Sequence, residues 1–225
     1  MRWLGLSPEE ITARCEAMAP GARDAAEHGN VVVPWSKRQM RPHEAAVLYV
    51  LAHAYDKPGA RILEIGTALG YSAAVLAQAA PSAKIVTLNP KLNEYTCAFG
   101  YLSGEFKNVE VLCVRSEDFL AGYGGPELDF VFVDGDHTAN GVRRDFGWLR
   151  CVKVGGLVLF HDYCPNGAER ACPSVKEAVD ELAQAIGRGP DVLVSDDLGN
   201  GMAGWHRDAT RDAWPIVAGR MAKGV

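Results

Sequence analysis

Two apolar runs of this chain end in acids and imidazoles. Val131-Phe132-Val133 leads into Asp134-Gly135-Asp136-His137, and Leu157-Val158-Leu159-Phe160 leads into His161-Asp162. A run that is apolar on both faces reads as a central strand of a parallel sheet. The polar residues that follow then stand at its carboxyl end. Neighbouring strand ends lie about 5 Å apart, so Asp134 and Asp162 are placed to share one cation. An imidazole with an ordinary pKa near 6.5 is suited to taking up a proton. The plainer reading of Asp134, His137 and Asp162 is a set of strand-end groups that order a loop or cap nearby helices.

A second stretch offers backbone rather than side-chain chemistry. Arg61-Ile62-Leu63-Glu64-Ile65 is a short apolar strand, and Ser72-Ala73-Ala74-Val75-Leu76-Ala77-Gln78-Ala79 is a run of strong helix formers. Between them, Gly66 and Gly70 mark a sharp turn that lets a ligand approach the main chain. Strand, glycine turn and helix make the first unit of a nucleotide-binding α/β fold. The dinucleotide fingerprint G-x-G-x-x-G is not met, because Ala68 stands where its second glycine belongs.

The elements that must position these groups follow in order. Ser7-Pro8-Glu9-Glu10 is a capping box with proline at the first helical position, opening a helix to about Ala19. A second short helix is expected near 22–28, an extended piece at 31–35, and a third helix from Pro42, with Ala46, Val50 and Ala54 on its core face. Strands are expected at 62–65, 83–89, 109–115, 128–134, 156–162, 191–194 and 202–206, alternating with helices. A capping box at Ser174 to Glu177 opens a late helix, residues 198–201 suggest a hairpin, and a short helix holds Trp214 to Met221. The expected fold is therefore α/β: a Rossmann-like, doubly wound, seven-stranded, mostly parallel sheet with an antiparallel last strand. It forms three αβα layers. Residues 1–56 read as an N-terminal helical cap and 57–225 as the main domain.

Composition narrows the function classes. A net charge of −5 over 225 residues gives no general footprint for nucleic acid. No apolar run approaches the roughly 20 residues that cross a bilayer, and the first residues lack the apolar region of a signal peptide. A cytoplasmic protein is expected, with no membrane or nucleic-acid partner. The six cysteines show no zinc-type spacing and most of them read as core thiols, with Cys164 and Cys172 the one pair flanking a loop. Lys37, Arg38 and Arg41 beside Trp35 read as a solvated turn, or as an entrance for an anionic substrate. Trp205 and His206 read as core, or as a pocket wall.

The spacing E-x-G-x-x-x-G-x-S at Glu64, Gly66, Gly70 and Ser72 resembles motif I of the class I S-adenosylmethionine-dependent methyltransferases. Leu63 to Gly66 and Gly70 to Ser72 are similar to the catechol-type O-methyltransferases. The blocks Val131 to His137, Gly141 to Phe146 and Gly155 to Tyr163 resemble the macrocin-type sugar O-methyltransferases. This resemblance, over 61–163, implies S-adenosylmethionine as cofactor, held by Glu64, Gly66, Thr67, Ala68, Gly70, Ser72, Asn89, Ser116, Glu117 and Asp134. It places Ser72 at the methionine carboxylate, Asn89 where an acid usually bonds the ribose hydroxyls, and Ser116-Glu117 at the adenine. Met40 is a further candidate for contact.

The same resemblance makes His137 the general base, with Asp134 beside it. It implies Mg²⁺ or another divalent metal at Asp134 and Asp162; His161 beside them departs from the family pattern and is either a further ligand or a sign that no metal binds. Oxygen ligands favour Mg²⁺, and an imidazole at His161 tilts the site towards a transition metal. Tyr163 stands where the family often has a further ligand. The implied partner is a small hydroxylated acceptor, a sugar or polyketide before a catechol, and the helical cap is an element that can pair subunits. Two other readings stay open: an NAD-dependent oxidoreductase on the same sheet, disfavoured by the absent glycine and by Asn89, and a catalytically idle binding or scaffold protein.

Overall fold

The computed structural model describes residues 1–25, 40–165, 172–196 and 201–208. They group into two compact units, Leu6–Arg115 and Met1–Gly5 with Ser116–Val225.

In the first unit, helix α1 (Pro8–Met18) starts as the capping box requires. The Glu10 N–H donates to Ser7 Oγ at 3.3 Å, and the Ser7 N–H donates to Glu10 Oε2 at 2.8 Å. Helix α2 (Pro42–His53) packs between α1 and α3 (Tyr71–Ala79). Its burial extends from His43 to Leu48 and from Val50 to Ala52. The expectation of a single core face is therefore corrected: a helix flanked by two others is apolar almost all round. Strands β2 (Arg61–Ile65), β3 (Lys84–Leu88) and β4 (Val109–Leu112) pair in parallel. Helix α4 (Leu92–Glu105) packs on β4, with Ala98 and Leu102 joining Ala73, Ala74 and Val111 in one apolar cluster.

In the second unit the strand order is β1-β7-β8-β6-β5. Here β1 is Arg2–Leu6, β5 Leu128–Val133, β6 Val152–Phe160, β7 Val192–Asp196 and β8 Gly201–His206. Strands β5 and β6 are parallel, while β8 runs antiparallel to both β6 and β7. The antiparallel last strand was legible; β1 was not, so the described strands number eight rather than seven. Met1 O accepts from the Leu193 N–H at 3.0 Å, which shows how this first strand attaches. Its pattern of one buried residue, Trp3, among exposed ones gives no strand signal. Helix α5 is Ser116–Ala121 and α6 Ala139–Asp145, the latter continuing into a 3₁₀ turn (Phe146–Cys151). Helix α7 (Pro173–Ile186) buries Val175, Ala178, Val179 and Leu182. The late capping box is corrected: Cys172, not Ser174, is the N-cap, and Pro173 is the first helical residue.

Among the described residues no helix is long and apolar enough to cross a membrane. All six cysteines are free thiols. The expected extended piece at 31–35, the basic residues Lys37 and Arg38, most of the turn at 198–201 and the C-terminal helix fall outside the described residues, as does the end of the helix expected at 22–28.

Candidate functional site

The glycine turn of the first unit is tied to the end of β3. Gly66 and Thr67 both donate N–H bonds to Leu88 O, at 3.0 and 3.1 Å. Gly70 N–H closes the turn on Thr67 O at 2.7 Å. Gly66 has φ 104 and Gly70 φ 93, in the region that favours glycine. Ala68 has φ 44 with a side chain, a conformation that costs about 1–3 kcal/mol and concentrates at functional sites. Ser72 is buried in the first turn of α3. Glu64 is fully buried in β2 and accepts from the Thr87 hydroxyl, which also lies 2.6 Å from Thr67 Oγ1.

Asn89 follows β3 and is buried. Its Nδ2 donates to Ala68 O at 3.3 Å and to Glu94 Oε2 at 3.1 Å, and its Oδ1 accepts from the Lys91 N–H at 3.2 Å. The residue thus braces the turn from outside.

The second unit brings the acids and imidazoles together. Asp134 follows β5 and His161-Asp162 follow β6, two strands in parallel register. His137 Nε2 lies 2.8 Å from Asp162 Oδ2 and 3.4 Å from Asp134 Oδ1. His161 Nδ1 lies 3.1 Å from Asp134 Oδ1 and 3.5 Å from Asp162 Oδ1. Ligand atoms of Asp134, His161 and Asp162 fall within 4.8 Å of one another. His161 is buried and packs edge-on against Phe132, whereas His137 is open to solvent on one side. Asp162 has φ 56, the second side-chain-bearing residue in the left-handed region. Val133 to His137, Val142, Phe160, His161 and Val175 line a small, partly open recess of about 10 Å³, about the space of one water.

The electrostatics follow from this packing. Burial opposes ionisation of Asp134, but the His161 charge and hydrogen bonds from both imidazoles outweigh it and hold the carboxyl below its usual range. Asp162 behaves alike: burial is overcome by hydrogen bonds from His137 and His161. Hydrogen bonds to Asp134 and Asp162 hold the proton on His137, pushing its pKa up to about 10 against the opposing effect of burial.

Asp136 braces the loop that carries His137. Its Oδ1 accepts from the Thr138 N–H at 3.0 Å and its Oδ2 pairs with Arg144 at 2.9 Å. A Cβ on Gly141 would lie 2.3 Å from Asp136 Cγ, so the loop closes only over glycine. Tyr163 turns its hydroxyl to Asp180 Oδ1 at 2.9 Å. Ser116 opens α5; its hydroxyl donates to Asp145 Oδ1 at 2.5 Å and accepts from Trp148 Nε1 at 2.8 Å. Glu117 lies in the same first turn. Met40 and Trp205 are buried, the latter as core on β8, and Arg41 is the N-cap of α2.

Sequence reading missed four participants. Glu94 carries no motif. Asp145 and Trp148 pair with Ser116 across about thirty positions. Cys172, whose Sγ lies 3.8 Å from Asp162 Oδ2, looked like an ordinary core thiol.

Residues 63–163 match the family model described as a methyltransferase domain. The chain is 28% identical over 194 residues to a catechol O-methyltransferase of Mycobacterium tuberculosis, covering 84% of each chain. Its fold is similar to that of the cofactor-bound protein Rv0187 from MTB, with TM-score 0.64 and 22% identity over 90% of this chain and 99% of that one. It is also similar to the O-methyltransferase TomG from Streptomyces achromogenes, involved in tomaymycin synthesis and solved with SAM. There the TM-score is 0.60 and the identity 21%, over 88% of this chain and 96% of that one.

Proposed function

We infer that this chain, a class I S-adenosylmethionine-dependent methyltransferase, moves a methyl group to a hydroxyl oxygen of a small molecule. A sugar or polyketide hydroxyl is the preferred acceptor and a catechol the next. The relatives supply the support for the reaction class: a catechol O-methyltransferase in sequence, and in fold an O-methyltransferase solved with SAM. The observation that carries the hydroxyl acceptor is the convergence of Asp134 and Asp162 on the imidazole of His137. An alcohol is a poor nucleophile until its proton has somewhere to go.

In the proposed step the acceptor oxygen attacks the methyl carbon in line with the carbon–sulfur bond. That bond breaks, its electron pair stays on sulfur, and S-adenosylhomocysteine leaves as a neutral thioether. The hydroxyl proton passes to Nε2 of His137 after that imidazole, whose contacts with Asp134 and Asp162 raise its pKa to about 10, has given up its own proton, and the two acids stabilise the imidazolium formed. The cofactor is assigned to Glu64, Gly66, Thr67, Ala68, Gly70, Ser72, Ser116, Glu117 and Asp134, with Asn89 contributing from behind through the turn it braces. Its methionine carboxylate is taken by the free N–H groups at the start of α3 beside Ser72. Residues 1–56 are proposed as an N-terminal cap, helical only after the strand Arg2–Leu6, and 57–225 as the methyltransferase domain.

A divalent metal fits the donor set of Asp134, His161 and Asp162, whose ligand atoms lie within 4.8 Å of one another. When bound, such an ion lowers the pKa of an acceptor hydroxyl. The buried imidazole of His161 among the acids suits a transition metal better than Mg²⁺.

The test is transfer of a labelled methyl group from S-adenosylmethionine to a panel of sugar, polyketide and catechol hydroxyls. His137→Ala is expected to lower kcat by about 100-fold or more, the usual scale of a general base, with S-adenosylhomocysteine affinity kept. Unchanged turnover in that variant removes His137 as the base.

A further inference from the structure

We propose that Glu94 supplies the carboxylate that grips the ribose hydroxyls of the cofactor, and that Asn89, at the strand end, holds Glu94 in place. The proposal rests on the S-adenosylmethionine reading above.

Ligands of parallel α/β sheets lie beyond the carboxyl ends of the strands. Asn89 occupies that position after β3, but its side chain is already committed. An amide has two N–H donors. Here one serves Ala68 O at 3.3 Å and the other Glu94 Oε2 at 3.1 Å, while the amide oxygen accepts from the Lys91 N–H at 3.2 Å. Asn89 is 3% exposed, so little of it faces a ligand.

A ribose diol presents two hydroxyl donors and is best met by two oxygens of one carboxylate, in charge-assisted bonds. Asn89 offers neither the charge nor the second oxygen. Glu94 offers both. It stands in the first turn of α4, with its side chain 33% exposed. Through Asn89 it is linked to the carbonyl of Ala68, in the glycine turn itself. Its other oxygen, Oε1, meets Lys91 Nζ at 3.2 Å, and that lysine side chain is 73% exposed. An ion pair so open to water holds its partners weakly, so a ligand hydroxyl can take the lysine's place. The acid has moved from the strand end to the following helix, and the amide left behind positions it.

Calorimetric titration of the full chain with S-adenosylhomocysteine and with its 2′,3′-dideoxy analogue tests the assignment. Glu94→Gln is expected to weaken S-adenosylhomocysteine by about tenfold, the scale of one charge-assisted hydrogen bond, and to leave the analogue unchanged. A loss on both ligands alike, or on neither, overturns the proposal. The double variant Asn89→Asp with Glu94→Gln returns the acid to the strand end. It is expected to bind S-adenosylhomocysteine within about threefold of the native chain, and failure to recover counts against the exchange of roles. If the native chain binds neither ligand, the cofactor reading itself falls, and this proposal falls with it.

Discussion

The Nε2 of His137 sits 2.8 Å from Oδ2 of Asp162. Asp134 approaches the same nitrogen at 3.4 Å, so one imidazole spans the acids that follow two neighbouring strands. Because these contacts raise the His137 pKa to about 10 from an ordinary 6.5, the ion pair stabilises the fold fully below pH 6.5. Its contribution is lost as pH rises through 10. Thermal melts in chelator should therefore show a decline between about pH 7 and 10 that His137→Ala lacks. The ring is 44% exposed, so solvent screening keeps the effect small.

Asp145 has the same sign of pH dependence from a different cause. Burial raises its pKa to about 7 from an ordinary 3.8, partly offset by the Ser116 hydroxyl that donates to it. The folded state holds a proton there that the unfolded chain has released. Stability is thus greatest below about pH 4 for this group and falls as pH rises towards 7. Asp145→Asn is expected to remove a slope worth a few kcal/mol in total, on the order of 1.4 kcal/mol per pH unit. Denaturant melts at pH 5 and pH 8 measure it. A variant whose stability changes with pH as the native chain's does would contradict the account.

The glycine turn has its own test. A Cβ on Gly70 would meet Leu102 Cδ1 at 3.1 Å and Ala98 Cβ at 3.5 Å, at φ 93. Gly70→Ala combines backbone strain with crowding, and a loss of about 2–3 kcal/mol is expected. For a chain of this size that lowers the melting temperature by roughly 5–10 °C.

Much of this was readable before any coordinates. The apolar runs before Asp134 and His161 had to be buried strands, so their polar ends had to meet the ligand side of the sheet. The spacing of Gly66 and Gly70 required a turn. What was not readable shares a physical cause. β1 is a short edge strand whose single buried residue leaves no pattern. Glu94, Asp145 and Cys172 act through contacts between residues distant in sequence or on successive elements, which periodicity does not encode. Ser174 had the right residue types for a cap, but Pro173 fixes the first helical position one residue too early for it.

The metal assignment separates by removal and exchange. Chelator is expected to abolish methyl transfer, and a transition-metal ion such as Co²⁺ or Mn²⁺ is expected to restore it better than Mg²⁺. His161→Asp replaces the imidazole by oxygen and should narrow that preference by about tenfold. Calorimetric metal titrations of both proteins check it. Full activity in chelator removes the metal from the mechanism.

The central claim is tested most directly by ligand-induced stabilisation of the native chain. S-adenosylhomocysteine at 100 times its dissociation constant adds about 2.7 kcal/mol by mass action. The melting temperature should then rise by roughly 5–10 °C, and NADH should leave it unchanged. A rise with NADH and none with S-adenosylhomocysteine would contradict the account.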